Sequence, residues 1–174
     1  MIMILTPLII YYSKTGTTAK IAEIILPTIK AESRRLNEPK DWRDMLRIRR
    51  HYGKQDDVKE LDLNIVEFDP IILLTPVWEG LPTMAMIEFV EKIDLKGKSV
   101  ILGLVGENET DPGALEKLRR KAVERGCTFI ETIYLMGVLP GHDWIDLDEE
   151  DFRREAAKLV EKVFAISEFT SVHK

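Results

Sequence analysis

The stretch LIIYYSKTGTTAKIAEIIL, residues 8–26, joins two different hydrophobic patterns through one short polar loop. Residues 8–12 are apolar or aromatic without alternation, which is typical of a strand that is covered on both faces. Residues 17–26 carry apolar side chains at the spacing of one helix face, and Pro27 predicts the end of the helix or a kink in it. The stretch therefore predicts a strand followed by a helix, as at the start of a parallel α/β sheet.

The segment 13–18, called the first loop here, reads Ser-Lys-Thr-Gly-Thr-Thr. A capped helix start, with Thr17 or Thr18 as the cap, needs only one or two hydroxyl groups. Additional hydroxyls and free backbone N–H groups at a helix N-terminus favour a phosphate dianion, and Gly16 permits a turn that a side chain would obstruct. The loop matches neither a Walker A loop nor Gly-x-Gly-x-x-Gly, so Rossmann-type dinucleotide binding is disfavoured.

Apolar runs and helical patterns alternate along the rest of the chain. Further strands are predicted over 70–75, 99–105 and 128–135, with a weaker candidate over 31–36, and further helices over 84–93, 113–125 and 149–166. The last strand alternates more than the others, which suits an edge strand. Such alternation implies a parallel sheet with right-handed crossovers and helices on both faces. We expect five strands in a single domain over 1–174.

The composition is that of an ordinary globular protein, with 45% hydrophobic and 32% charged residues among 174. A net charge of −5 gives no general attraction to nucleic acid or to an anionic membrane. The single cysteine, Cys127, excludes a disulfide framework and a multi-thiolate metal site. The apolar N-terminus lacks a basic region and is interrupted by Pro7. We therefore expect a cytoplasmic protein without a metal, membrane or nucleic-acid partner.

The run 9–25 resembles the FMN-phosphate signature of the flavodoxin family. The positions that match this signature are Ser13, Gly16, Thr18, Ala22 and Ile25. The resemblance implies a flavodoxin-like three-layer sandwich with a five-stranded parallel sheet in the order 2-1-3-4-5. It also implies FMN as the cofactor, with its phosphate held by Ser13, Thr15, Gly16, Thr17 and Thr18, and with Lys14 among the residues that bind the cofactor.

Two later segments are similar to the loops that cover the flavin ring in this family. The second loop, 75–80, would line the ring through Thr75, Pro76, Val77, Trp78, Glu79 and Gly80. The indole of Trp78 could stack on the isoalloxazine, which would add about 1 kcal/mol beyond area burial, or it could be a core or helix-capping aromatic.

The third loop, 105–112, would line the pyrimidine edge of the ring through Gly106, Glu107 and Asn108. Its acidic residues could lower the flavin potential, or they could simply favour the dipole of the following helix. The third loop lacks the second stacking aromatic that flavodoxins often carry, and the chain is less acidic than electron-carrying flavodoxins usually are. A flavin that is covered on one side only would leave its other face open to a substrate.

Two functions therefore stay open. One is an electron carrier between redox partner proteins, and the other is an NAD(P)H-dependent reductase of quinones or similar small acceptors. His142 could donate a proton to a reduced acceptor, or it could be an ordinary loop histidine. The basic segment 43–54 could bind a pyridine-nucleotide phosphate or an acidic partner, or it could be the solvated face of a short helix that begins at Asp41. No catalytic residue is assigned, and the sequence does not indicate an oligomeric state.

A phosphoacceptor receiver domain on the same topology is disfavoured. That chemistry needs acidic residues after the first strand and an Asp at the end of the third. The chain has Ser13 and Lys14 at the first place, and Thr75 and Pro76 at the second.

Overall fold

The structure is a computed structural model that describes residues 5–36, 64–78, 80–106, 112–137 and 147–172. Strands and helices alternate along the chain. The strands are β1 (Thr6–Tyr11), β2 (Glu32–Arg35), β3 (Phe68–Trp78), β4 (Leu81–Pro82), β5 (Ser99–Gly106) and β6 (Phe129–Met136). The helices are α1 (Thr17–Ile29), α2 (Met84–Lys92), α3 (Pro112–Glu124) and α4 (Glu149–Val172).

Parallel strands form the sheet in the order β2-β1-β3-β5-β6. The two-residue strand β4 pairs antiparallel with the end of β3 and lies outside this path. The sequence did not predict β4. When β4 is left out and the remaining five strands are numbered in chain order, their order in the sheet is 2-1-3-4-5, as expected. The flavodoxin-like fold class is therefore confirmed, and β6 lies at an edge of the sheet as its alternating pattern indicated.

Strand residues alternate between two apolar layers. Ile9 and Ile72 pack in the layer formed with α1 and α4, whereas Ile10 and Leu73 pack in the layer formed with α2 and α3. These four side chains are essentially fully buried. Each contributes roughly 2 kcal/mol through burial, so the central strands are held between both helix layers. This double coverage explains the apolar runs without alternation.

Three boundaries differ from the prediction by three residues or more. Helix α1 continues through Pro27 to Ile29, because the missing N–H costs only one bond near the last turn while Ile25 and Ile29 stay buried. Helix α4 extends to Val172 rather than 166. Strand β3 continues to Trp78, because β5 and β4 provide pairing partners beyond 75. The predicted helix from Asp41 and the basic segment 43–54 lie outside the described residues.

Candidate functional site

The three loops begin side by side at one edge of the sheet. The N–H of Tyr12 donates to the carbonyl of Leu74 at 3.1 Å, so the first and second loops leave neighbouring strands at the same level. Pro76 is in register with Val105, which places the start of the third loop beside the second. Ligands of such sheets bind beyond the carboxyl ends of the strands where the strand order reverses, which here is between β1 and β3.

Ser13 fixes the base of the first loop. It is buried, and its Oγ accepts a hydrogen bond from the N–H of Ala19 at 3.2 Å, in the first turn of α1. The Ser13 carbonyl accepts a hydrogen bond from Arg35 Nη2 at 2.7 Å. Because the Ser13 hydroxyl accepts here, its own hydrogen can still donate to a ligand.

The remainder of the first loop is open to solvent. Lys14, Thr15 and Gly16 are exposed, Thr17 is half-buried and the side chain of Thr18 is buried. The hydroxyl oxygens of Thr15 and Thr17 lie 3.4 Å apart, so one hydroxyl donates to the other here, and both can rotate to donate to a ligand at the mouth of the loop. The first loop thus presents hydroxyl groups outward from a buried anchor.

The N-cap of α1 is Gly16, not the threonine that the alternative interpretation of the loop expected. Gly16 has a φ of 95°, a left-handed conformation that favours glycine, and it offers no side chain to the helix. The first N–H groups of a helix, here those of Thr17 and Thr18, have no intrahelical acceptor. A glycine cap leaves these groups available to a ligand, and a Cβ built at Gly16 would meet no atom within 4 Å.

The donors of the first loop fit a phosphate monoester. Exposed hydroxyls, N–H groups at a helix start and the positive end of the helix dipole all favour an oxyanion. The exposed Lys14 adds a positive charge. An FMN phosphate would therefore find donors in this loop. That residues 13–18 bind the cofactor stays a prediction.

Thr75, at the start of the second loop, is fully buried. Its hydroxyl lies 2.9 Å from the hydroxyl of Thr83, the N-cap residue of α2, and also accepts the Thr83 N–H at 3.2 Å. These bonds tie the start of α2 to β3. Any contact of Thr75 with a cofactor would therefore come from its backbone.

The rest of the second loop is a tight β-hairpin. Val77 pairs with Pro82 and Trp78 pairs with Leu81, and Gly80 turns the chain with a φ of 75°. Pro76 and Val77 are buried at the end of β3. The side chain of Trp78 and all of Glu79 lie outside what the structure describes, so the stacking role of Trp78 stays a prediction.

The third loop is described only at its two ends. Gly106 accepts a hydrogen bond from the N–H of Gly137 at 3.1 Å. A Cβ built at Gly137 would lie 2.4 Å from Val105 Cγ1 and 3.0 Å from Thr17 Cγ2. The end of β6 therefore packs directly against the start of α1 and the start of the third loop. Glu107, Asn108 and His142 lie outside the described residues.

Three residues at this edge were missed by the sequence analysis: Arg35, Thr83 and Gly137. The sequence does hold one signal, because 32–35 reads Glu-Ser-Arg-Arg and Arg35 is in register with Tyr11 at the carboxyl end of β1. A cation that ends a strand beside β1 must lie near the first loop. The contacts of Thr83 and Gly137 have no comparable signal.

Lys20, one turn into α1, points toward α4. Its Nζ lies 2.7 Å from Glu149 Oε2 and 4.6 Å from the centre of the Phe152 ring. The hydrogen bond from Lys20 lowers the pKa of the Glu149 carboxyl below its usual value. This pair joins the first turns of α1 and α4 beside the loop edge.

Within the described ranges, no group of three or more His, Cys, Asp or Glu side chains is arranged to hold a metal ion. No described helix is long and apolar enough to cross a membrane.

No protein-family model matches the sequence, and no curated protein matches it. Solved structures do match. General stress protein 14 of Treponema denticola, in complex with FMN, has a TM-score of 0.62 at 10% identity over 92% of this chain and 98% of its own. A short-chain flavodoxin associated with a bacterial microcompartment has a TM-score of 0.55 at 15% identity, covering 94% and 99%.

An NADH:FMN oxidoreductase in its apo form has a TM-score of 0.53 at 16% identity, covering 91% of this chain and 90% of its own. At these identities the likeness shows the fold. The chain is therefore similar in fold to flavodoxin-like proteins over most of its length.

Proposed function

We propose that this protein binds FMN and carries electrons between redox partners. The observation that carries the proposal is the open, glycine-capped N-terminus of α1, with the exposed hydroxyl of Thr15 beside it, at the switch point of a flavodoxin-like sheet. FMN in the Treponema complex and flavodoxin among the similar structures support this ligand. When bound, FMN supplies reversible electron transfer.

The first loop would hold the phosphate. Thr15 and Thr17 would donate from their converging hydroxyls, and the N–H groups of Thr17 and Thr18 would donate along the axis of α1. Ser13 would keep the loop in this shape through its bond to Ala19. Charge-assisted hydrogen bonds of this kind favour a phosphate ester over an uncharged ligand.

The second loop and Gly106 would line the ring. The hairpin at Gly80 extends from β3, which pairs with β1 in the sheet, and the Thr75–Thr83 bonds hold its base in place. A fixed hairpin loses little conformational entropy when a flat ring binds to it. Trp78 would supply the stacking surface, and the main chain from Gly80 would face the polar edge of the ring.

The proposal is tested by binding and then by stepwise reduction. The purified protein should bind FMN and become yellow, and a reductive titration should proceed in two separable one-electron stages, as a carrier between one-electron partners requires. A protein that stays colourless after addition of FMN would overturn the proposal.

A second candidate is an NAD(P)H-dependent reductase, which the likeness to an NADH:FMN oxidoreductase favours. The test is anaerobic mixing of the FMN-loaded protein with NADH or NADPH in a stopped-flow instrument. A carrier should keep its oxidised flavin spectrum with both nucleotides, whereas rapid bleaching by either nucleotide would identify the reductase.

A further inference from the structure

Arg35 connects the sheet to the first loop. It is the last residue of β2, and it is in register with Tyr11 at the carboxyl end of β1. Its guanidinium Nη2 donates to the Ser13 carbonyl at 2.7 Å, at the point where the chain leaves β1 for the loop. The residue itself is exposed.

This contact is one of two that hold Ser13. The Ser13 hydroxyl accepts the N–H of Ala19 in α1, while its carbonyl accepts from Arg35 in β2. Ser13 is therefore fixed from the strand side and from the helix side at once. Because a peptide unit is planar and trans, fixing the Ser13 carbonyl toward Arg35 also turns the N–H of Lys14 away from Arg35.

The donor is an ion, which gives the contact a second effect. A hydrogen bond from a guanidinium is shorter and stronger than one from a neutral group, and its positive charge stays beside the loop. Together with exposed Lys14, Arg35 adds positive potential to a site at the N-terminus of α1. A dianion would gain from both charges, whereas an uncharged ligand would not.

The neighbouring Arg34 has a different environment. Its guanidinium lies 5.3 Å from the centre of the Phe68 ring. Successive strand residues point to opposite faces of the sheet, so the two arginines serve different surfaces. Arg34 is therefore the matched control for a loss of one arginine from β2.

We propose that Arg35 is a positioning residue for the phosphate of FMN, which holds the first loop through the Ser13 carbonyl and favours the phosphate dianion by its charge. This inference rests on the proposed function. It predicts that Arg35 governs the preference for FMN over riboflavin, because riboflavin carries the same ring without the phosphate.

The experiment measures FMN and riboflavin dissociation constants by quenching of flavin fluorescence, for the wild type and for Arg35→Ala, Arg35→Lys and Arg34→Ala. Arg35→Ala should weaken FMN about tenfold while riboflavin changes less than about twofold, the size expected for one lost charge-assisted bond. Arg35→Lys should recover most of the FMN affinity. Arg34→Ala should keep the wild-type ratio of the two constants.

The other possible results contradict either the proposed function or the role of Arg35. A wild type that binds neither flavin overturns the proposed function and this inference with it. A wild type that binds FMN while Arg35→Ala keeps the same FMN-to-riboflavin ratio overturns this inference alone. If Arg35→Ala does not fold, Arg35→Gln replaces it, and equal ratios for Arg35→Gln and Arg35→Lys overturn the role of the charge.

Discussion

The first and second loops both follow a buried parallel strand, and both begin with a buried hydroxyl residue that holds the base of the loop, Ser13 and Thr75, yet they differ in the hydroxyl groups that they expose. In the first loop Thr15 is exposed, and its hydroxyl lies near that of Thr17 at the surface. In the second loop Thr75 is fully buried, and its hydroxyl is bonded to Thr83. Beyond its buried anchor Ser13, the first loop presents hydroxyl groups outward, whereas the hydroxyl group of Thr75 only holds the second loop in shape.

The difference separates two tasks of a cofactor site. A charged phosphate needs exposed donors that can turn toward it, whereas a flat apolar ring needs a rigid surface to pack against. The open cap at Gly16 serves the first task, and the bonded pair Thr75–Thr83 serves the second. Variants in the two loops should therefore fail in different ways.

The largest effect is expected for Thr75→Val. This change keeps the shape of the side chain but leaves the buried N–H and hydroxyl of Thr83 without their partner, which should lower the free energy of unfolding by about 2 kcal/mol. Urea denaturation of the apo-protein measures it. The control is Thr15→Val, which changes an exposed residue and should alter stability by less than about 0.5 kcal/mol. Equal losses of stability in both variants would show that the Thr15 hydroxyl supports the fold as much as the Thr75 hydroxyl does, which would contradict the difference between the two loops.

Trp78→Ala should give the next largest effect. It should weaken the binding of the flavin ring without affecting the binding of the phosphate. Loss of a stacking indole should weaken FMN and riboflavin by the same factor, about tenfold, since both ligands carry the ring. Fluorescence titration with both flavins provides the measurement, and Trp78→Phe, which keeps an aromatic ring, should retain most of the affinity. Unchanged constants in Trp78→Ala would exclude the stacking role.

The double variant Thr15→Val, Thr17→Val should show the converse pattern. Removing two neutral donors should weaken FMN by roughly fivefold to tenfold and leave riboflavin nearly unchanged, because only FMN carries the phosphate. The same titration applies. A parallel loss of both ligands would mean that the first loop contacts the ring rather than the phosphate.

The smallest effect is expected for Glu149→Gln, which removes the ion pair between Lys20 of α1 and Glu149 of α4. The pKa of Glu149 is lowered in the folded protein, so its bond to Lys20 stabilises the fold above the ordinary carboxyl pKa. That contribution is lost as the pH falls through the lowered pKa. Both side chains are about half exposed, at 42% and 54%, so solvent and salt screen the pair.

The check is the melting temperature of the wild type and Glu149→Gln near neutral pH and near pH 3, below the usual carboxyl pKa. The small difference at neutral pH should shrink near pH 3, and it should disappear once the pH is below the lowered pKa of Glu149. Glu161→Gln, an exposed position on the same helix, is the control and should match the wild type at both values. A difference that persists in acid would show that Glu149 acts through packing rather than charge.

The sequence predicted the fold well, because the hydrophobic pattern that identifies each buried strand lies within a short run of the chain. Runs such as 8–12 and 99–105 are apolar on both faces, and burial between two helix layers requires that pattern. The weak strand over 31–36 was the hardest to predict. The part of this segment that forms a strand, β2, is mostly exposed and polar. Its pairing with β1, rather than a hydrophobic pattern, therefore determines its conformation.

The candidate site was predicted less completely, because its contacts join residues far apart in the chain. The bond between Arg35 and Ser13 spans two strands, and the packing of Gly137 on Thr17 spans most of the sequence. The sequence gives no signal for the packing of Gly137, and for Arg35 it gives only a cation at the end of a strand that pairs with β1. The alternative interpretation of the first loop placed a threonine at the cap of α1, because composition indicates a cap but not the φ of 95° that selects Gly16.

The central claim is that the first loop binds the phosphate of a flavin held at this sheet edge. The most direct measurement is titration of the apo-protein with FMN and with riboflavin, followed by quenching of flavin fluorescence. We predict saturable quenching by one FMN per chain, with FMN bound at least about tenfold more tightly than riboflavin. Equal affinity for the two flavins, or no quenching by either, would contradict it.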